Sequence, residues 1–313
     1  MTGHESSRYD AAISYNAGKP ALLFGDDATA MQRTASLLAA AGVRIAGTGL
    51  LGQASDRLAQ QVAVGLVWLE CTEPAGIPSD ALLDQLARFA ASGEAAVVAT
   101  APPSMIDLLF ARLDQGSAQI LIDPDDAMRA GALSLALAET GAGAQRPSRV
   151  SDVGRDNAVR LRQLSDEMGR IAATLARLSS TPDETAPVVI RLIEPPKDAP
   201  PLSVDVVRAE IRSRRLRSRF FTEELFADPA WDMLLDLTQA EIAQHRVPVS
   251  SLCIAAAVPA TTALRWIKSM TDAGLFVRRA DPHDGRRVFV ELSPQASAAM
   301  RGYFAELGTS AAA

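Results

Sequence analysis

Thr261-Thr-Ala-Leu-Arg-Trp-Ile-Lys-Ser-Met-Thr-Asp-Ala-Gly274, continued by Leu275-Phe-Val-Arg-Arg-Ala-Asp-Pro-His-Asp-Gly-Arg-Arg-Val-Phe-Val-Glu-Leu292, is the most informative stretch of this 313-residue chain. Leu264, Ile267 and Thr271 recur at helical spacing, while Thr261, Arg265, Lys268 and Asp272 recur at intervals of 4, 3 and 4 on another face. Gly274 stands where a helix over residues 260–272 needs its C-cap. Residues 276–279 and 288–292 have strand composition, and the polar 280–287 between them holds Asp-Pro and Asp-Gly turn signals. Upstream, Val258-Pro259 breaks a short helix that opens at Ser250 or Ser251 and runs to Ala257. Asp228-Pro229 supplies a capped start for a helix over 230–245, and Ser293-Pro294 opens a last helix to Leu307.

Helix, short helix, helix, two-stranded wing and final helix is the order of a winged helix-turn-helix, predicted here over 204–309. Residues 247–292 resemble the MarR-type winged-helix regulators. The resemblance rests on Ser250-Ser251, on Thr261-Thr262-Ala263-Leu264-Arg265, on Gly274 to Arg279, and on the acidic-then-basic tip Asp281-Pro-His283-Asp284-Gly-Arg286-Arg287. It implies a double-stranded DNA partner, and it covers about a third of the chain. The Pro-rich segment ahead departs from that family, which carries ligand-pocket helices there. On the DNA reading, Arg265 can bond a guanine edge bidentately, and Thr261 and Thr262 can meet a thymine methyl or a phosphate, with Lys268 on the same face. Ser250 and Ser251 either cap their helix or bind phosphate. Arg278, Arg279, His283, Arg286 and Arg287 would follow the backbone or minor groove, with Asp281 or Asp284 buttressing the last two. Trp231 and Trp266 are expected in the core.

A helix is expected over 204–220 with six arginines, Arg208, Arg212, Arg214, Arg215, Arg217 and Arg219, either for backbone phosphate or, with Glu210 among them, as a solvated or dimer-facing surface. Residues 180–203 form a Pro-rich linker with Pro195-Pro196 and Pro200-Pro201, extended and without a core of its own. Before it, Leu161, Leu164, Met168, Ile171, Leu175 and Leu178 alternate intervals of 3 and 4, a short coiled-coil seam with Asn157 in register. The helix 148–179 is read as a parallel homodimerisation element, the alternative being an amphipathic helix on its own domain.

From Pro20 onward apolar runs alternate with helical patterns. Strands are predicted at 21–25, 43–46, 64–69, 95–100 and 118–122, and helices at 29–41, 55–61, 81–91, 105–113 and 126–139. Strands without polar alternation imply a sheet covered on both faces, so residues 21–140 are an α/β domain with a five-stranded doubly wound parallel sheet. This region resembles a two-component receiver domain, of the flavodoxin-like class. Asp26-Asp27 follow the first strand, Glu70 stands at the phosphoacceptor place with Pro74 four residues on, Thr100-Ala101 end the fourth strand, and Asp123-Pro124 replace the usual Lys-Pro. The resemblance implies an acidic site of Asp26, Asp27, Glu70, Thr100 and Asp123. The departures imply a pseudo-receiver that is not phosphorylated and is locked or tuned by protein contacts, with a cation site at Asp26, Asp27, Glu70 and Asp123 as a lesser alternative. A rival signal, Gly47-Thr-Gly-Leu-Leu-Gly52 with Glu70 after the next strand, has dinucleotide-binding spacing and keeps an NAD- or ATP-binding sensor or enzyme as the alternative.

The net charge of −6 divides unevenly: residues 1–140 carry 16 acidic against 8 basic side chains, whereas 246–287 carry 7 basic against 3 acidic. That layout suits a regulator of nucleic acid. Residues 1–20 are a polar tail without a signal pattern, and no run of 18 apolar residues occurs, so a cytoplasmic, nucleoid-associated protein away from membranes is expected. Cys71 and Cys253 are far apart, and His4, His245 and His283 are scattered, so neither a disulfide framework nor a His- or Cys-based metal centre is expected. The sequence calls for no cofactor and shows no nucleophile-base-acid set, so an enzyme is not expected.

Overall fold

A computed structural model describes residues 19–60, 63–72, 76–113, 118–139 and 201–311. Residues 1–18 of the expected tail, the seam from Asn157 to Leu178, Pro74 and nearly all of the linker lie outside the described residues.

Five apolar runs form parallel strands: β1 (Ala21–Gly25), β2 (Ile45–Leu50), β3 (Leu66–Glu70), β4 (Ala96–Ala101) and β5 (Gln119–Ile122). Their order is β2-β1-β3-β4-β5, the doubly wound order whose switch point lies between β1 and β3. β1, β3 and β4 are buried along their whole length because helices cover both faces. α1 (Ala28–Ala40) and α5 (Asp126–Glu139) seat Leu38, Ala132, Leu133 and Ala136 over Leu23, Trp68 and Val98. On the opposite face, α2 (Leu51–Ala59), α3 (Asp80–Ser92) and α4 (Ile106–Leu113) bring in Leu58, Leu83, Leu86 and Leu109. Asp27 and Ser79 cap α1 and α3 by accepting from Ala30 N at 2.7 Å and Leu82 N at 3.3 Å.

The glycine-rich run does not form the loop that dinucleotide-binding spacing calls for. β2 extends through Leu50 and α2 begins at Leu51, so Gly47 and Gly49 lie within a strand and Gly52 within the first helical turn. A Cβ on Gly47 would sit 3.1 Å from Arg57 Nη2 and 3.3 Å from Leu22 Cδ2, so the missing side chain makes room for Arg57. No loop joins β2 to α2 in which a pyrophosphate could be cradled, and this geometry speaks against the dinucleotide reading.

The C-terminal module comprises α6 (Val204–Leu216), α7 (Pro229–Ile242), β6 (Val247–Pro248), α8 (Val249–Ala255), α9 (Ala260–Asp272), β7 (Phe276–Ala280), β8 (Val288–Leu292) and α10 (Pro294–Ala311). Three boundaries differ from expectation. The wing sheet has three strands in the order β6-β8-β7, because Val247 and Pro248 pair antiparallel with Val290 and Phe289. α6 gives way after Leu216 to a 3₁₀ turn over Arg217–Arg219, and α7 ends before Gln244, whose φ of 56 turns the chain. α8 and α9 meet at 108°, within the range of a helix-turn-helix. Val207, Leu235, Met300 and Phe304 lock α6, α7 and α10 together. Of the α6 arginines, Arg214 is structural: its Nε lies 2.7 Å from Asp232, and although burial lowers its pKa, that bond and the neighbouring acids raise it further.

The two modules share one apolar core, which runs from the α2–α4 face of the sheet through α4 and α8 into Leu252, Leu264, Ile267 and Val290. Among the described residues no single helix is long and apolar enough to cross a membrane.

Candidate nucleic-acid interface

α9 has an inner side of Ala263, Leu264, Ile267 and Met270, all buried against the rest of its module. Arg265 and Asp272 are exposed, and Thr262, Lys268 and Ser269 are half-buried. Trp266 is half-buried against the core, and Trp231 meets Tyr303 edge-on with 4.8 Å between ring centroids. On the wing, Arg279, His283, Arg286 and Arg287 are exposed. Of the two expected buttresses, Asp284 does the work: it accepts from Arg286 N at 3.0 Å and lies 3.6 Å from Arg287 Nε. Asp281 instead accepts from His283 N at 2.9 Å, which fixes the bend of the tip.

Three of the residues expected to touch DNA face the α/β domain instead. Thr261 is 2 % exposed, and its Oγ1 accepts from Ile122 N, at the open edge of β5, at 2.8 Å. Ser250 does not cap α8, whose N-cap is Pro248; its N–H and hydroxyl donate to the two carboxylate oxygens of Asp107 on α4 at 2.9 and 2.7 Å. Ser251 is exposed. The Arg278 guanidinium lies 4.8 Å over the ring of Phe110, also on α4. At the tip, Arg286 Nε is 3.7 Å from Asp80, an acid that also pairs with Arg112. Burial raises the pKa of Glu139 at the end of α5, and the nearby Lys268 opposes that rise only in part. Asp80, Asp107 and Phe110 carry no local signal in the sequence that they face the distant C-terminal module; the Asp107–Ser250 separation alone is 143 residues.

The expected acidic site is dismantled. Glu70 is 1 % exposed and is tied to Arg129 of α5 in a buried ion pair. It also accepts from Thr34, from Trp68 Nε1 at 2.9 Å and from Thr100 Oγ1 at 2.6 Å. Asp26 turns to Thr72, whose N and Oγ1 donate to it at 2.9 and 2.8 Å, Asp27 caps α1, and Asp123 is exposed with φ 43. The carboxylates therefore do not converge on a cation. Among the described residues no group of three or more His, Cys, Asp or Glu side chains could hold a metal ion. Arg129, missed in the sequence, carried a signal: it precedes Ala132, Leu133 and Ala136 by 3, 4 and 7, so it occupies the buried stripe of α5.

Comparison with known families agrees with the module's geometry: residues 241–296 match the family described as winged helix DNA-binding domain. Residues 241–296 are a winged helix DNA-binding domain. Within it, α9 stands at the recognition position and β7–β8 form the wing. No curated protein matches the chain. One solved structure, a probable transcriptional regulator from Pseudomonas aeruginosa, is 25% identical over 34% of this chain and 80% of its own, with a TM-score of 0.23, too low to bear on the fold.

Proposed function

We propose that the chain is a homodimeric, sequence-specific, DNA-binding transcriptional regulator whose α/β domain is a pseudo-receiver that takes its input without phosphorylation. The observation that carries the DNA half is a helix-turn-helix at 108° with exposed Arg265 on the recognition helix and exposed Arg279, Arg286 and Arg287 on the wing. The MarR-type resemblance of residues 247–292 supports the same reading. Arg265 reads a base edge, and the wing arginines position the backbone.

The input half rests on β2-β1-β3-β4-β5 order and on Glu70 standing at the end of β3 where a receiver carries its phosphoacceptor. That carboxylate is already saturated by four donors, with Arg129 supplying the cation and Asp123 standing where a receiver has its lysine. Such a site is held permanently in a charge-compensated state, so its signal comes through protein contacts. Dimerisation is assigned to the seam of Leu161, Leu164, Met168, Ile171, Leu175 and Leu178 on its sequence spacing. A soluble, nucleoid-associated cytoplasmic protein follows from this reading.

Selection of duplexes from a library with a randomised core tests the DNA half, which expects one enriched motif, with a two-fold repeat if the dimer reading holds. Enrichment without any motif would refute sequence specificity. Beryllofluoride or acetyl phosphate should leave mass, melting temperature and DNA affinity unchanged. A phosphoryl adduct on Glu70 would restore a phospho-switch.

A further inference from the structure

We infer that the α/β domain holds the winged helix domain closed against DNA, by occupying with its own carboxylates, ring and backbone the groups that would grip the duplex. The inference rests on the DNA-binding reading above and adds its regulation. Ser250 gives both of its donors to Asp107, a bidentate anion of the class a phosphate belongs to. Thr261, in the first turn of the recognition helix, is spent on the unpaired edge of β5, where Ile122 N would otherwise face solvent. Arg278 is stacked on Phe110, and Arg286 is drawn toward Asp80. These contacts fall on the short helix, the recognition helix and the wing, the three parts with which a winged helix meets DNA.

Charge points the same way. The segment supplying these partners, residues 1–140, holds 16 acidic against 8 basic side chains, and the winged segment 246–287 holds 7 basic against 3 acidic. The shared apolar core through α4 and α8 adds a hydrophobic seam to the charged contacts, so closure is a packed state rather than a loose electrostatic encounter. A duplex approaching Ser250, Thr261 and Arg278 must take the volume that α4 and the end of β5 now fill. The two occupants exclude each other, and any input that favours separation of the domains favours DNA. Arg265, Arg279 and Arg287 stay exposed in the closed arrangement, which leaves it a weak, salt-sensitive attraction to DNA of any sequence.

The test uses the full chain and a duplex pool with a randomised core, selected on the Asp107→Ala variant. That substitution frees Ser250 from its partner and leaves every residue of the winged helix domain itself unchanged. It should raise affinity for the selected duplex by about tenfold, the effect of withdrawing one charge-assisted contact from the closed state. Hydrogen exchange on the wild-type chain gives an independent reading: the Ile122 amide should be protected in the free protein and exchange faster once the selected duplex is bound. Equal affinity of variant and wild type, with Ile122 equally protected in free and bound protein, overturns closure and leaves the DNA reading standing. Failure of both proteins to bind any duplex in the pool overturns the DNA reading and closure with it.

Discussion

Replacing Arg129 by Met removes the cation paired with Glu70 while keeping the length of the side chain on the buried stripe of α5. Breaking a buried ion pair from one side costs about 3–5 kcal/mol, since the remaining charge has neither water nor partner. Thr34, Trp68 and Thr100 continue to donate to Glu70, so the lower end, about 3 kcal/mol, is expected. Against the ~5–15 kcal/mol of a typical domain this is a large loss, equivalent to a fall of roughly 10 °C or more in melting temperature for a unit of this size. The companion variant, Glu70→Gln with Arg129→Met, removes both charges and should recover most of the loss, because an amide oxygen still accepts from the hydroxyls. Urea and thermal unfolding followed by circular dichroism on the wild type, the single variant and the double variant measure the three stabilities. If the Arg129→Met chain unfolds within about 0.5 kcal/mol of wild type, or the double variant is no better than the single one, the buried pair does not hold β3 to α5 as argued.

Arg265→Ala should cost about 1–3 kcal/mol on the selected duplex and relax preference at one base pair, measured by competition binding; equal loss on random DNA would make Arg265 a phosphate contact. Burial first, then the nearby acids (Asp26 and Glu70 for Cys71, Asp107 for Cys253), push both thiols up from 9.0 to about 12, so at pH 8 each holds about a thousandfold less thiolate than an exposed cysteine. Iodoacetamide should therefore label neither in the folded chain at pH 8 and both in urea. The same shifts make the folded state keep its thiol protons while the unfolded chain loses them, so stability should fall as pH rises from about 9 toward 12. Leu164→Asp with Ile171→Asp should give a monomer by light scattering, and a persisting dimer would move the interface elsewhere.

Local pattern and long-range contact divide what could be read from the chain. β1, α5 and β8 stand where apolar runs and helical periods put them, and the hairpin of the wing follows its turn chemistry, because each of these depends on residues within a dozen positions. β6 escaped notice because a two-residue strand has no period; only its pairing with Val290 and Phe289 makes it one. The Gly47–Gly52 run is ambiguous in sequence because glycine signals either a turn or a close approach, and the approach here is by Arg57, whose side chain lies over the edge strand.

The candidate site shows the same division, with a functional consequence. Helical spacing placed Thr261 and Arg265 on one polar face, and in the isolated winged helix domain nothing would distinguish them. The fold separates their fates: Arg265 is left in solvent, while Thr261 is buried 2.8 Å from a backbone amide that lies 139 residues earlier. A polar side chain on a surface face becomes buried without penalty only when a partner satisfies it, and Ile122 N is an edge-strand donor with the same need. The bond thus stabilises two groups that water would otherwise have to satisfy, and it does so at the first turn of α9, the helix at the recognition position. If closure holds as inferred above, this contact couples the stability of the closed arrangement to the strength of DNA binding. On the reading proposed above, strengthening one weakens the other, which is the physical condition for the α/β domain to govern DNA binding through contacts alone.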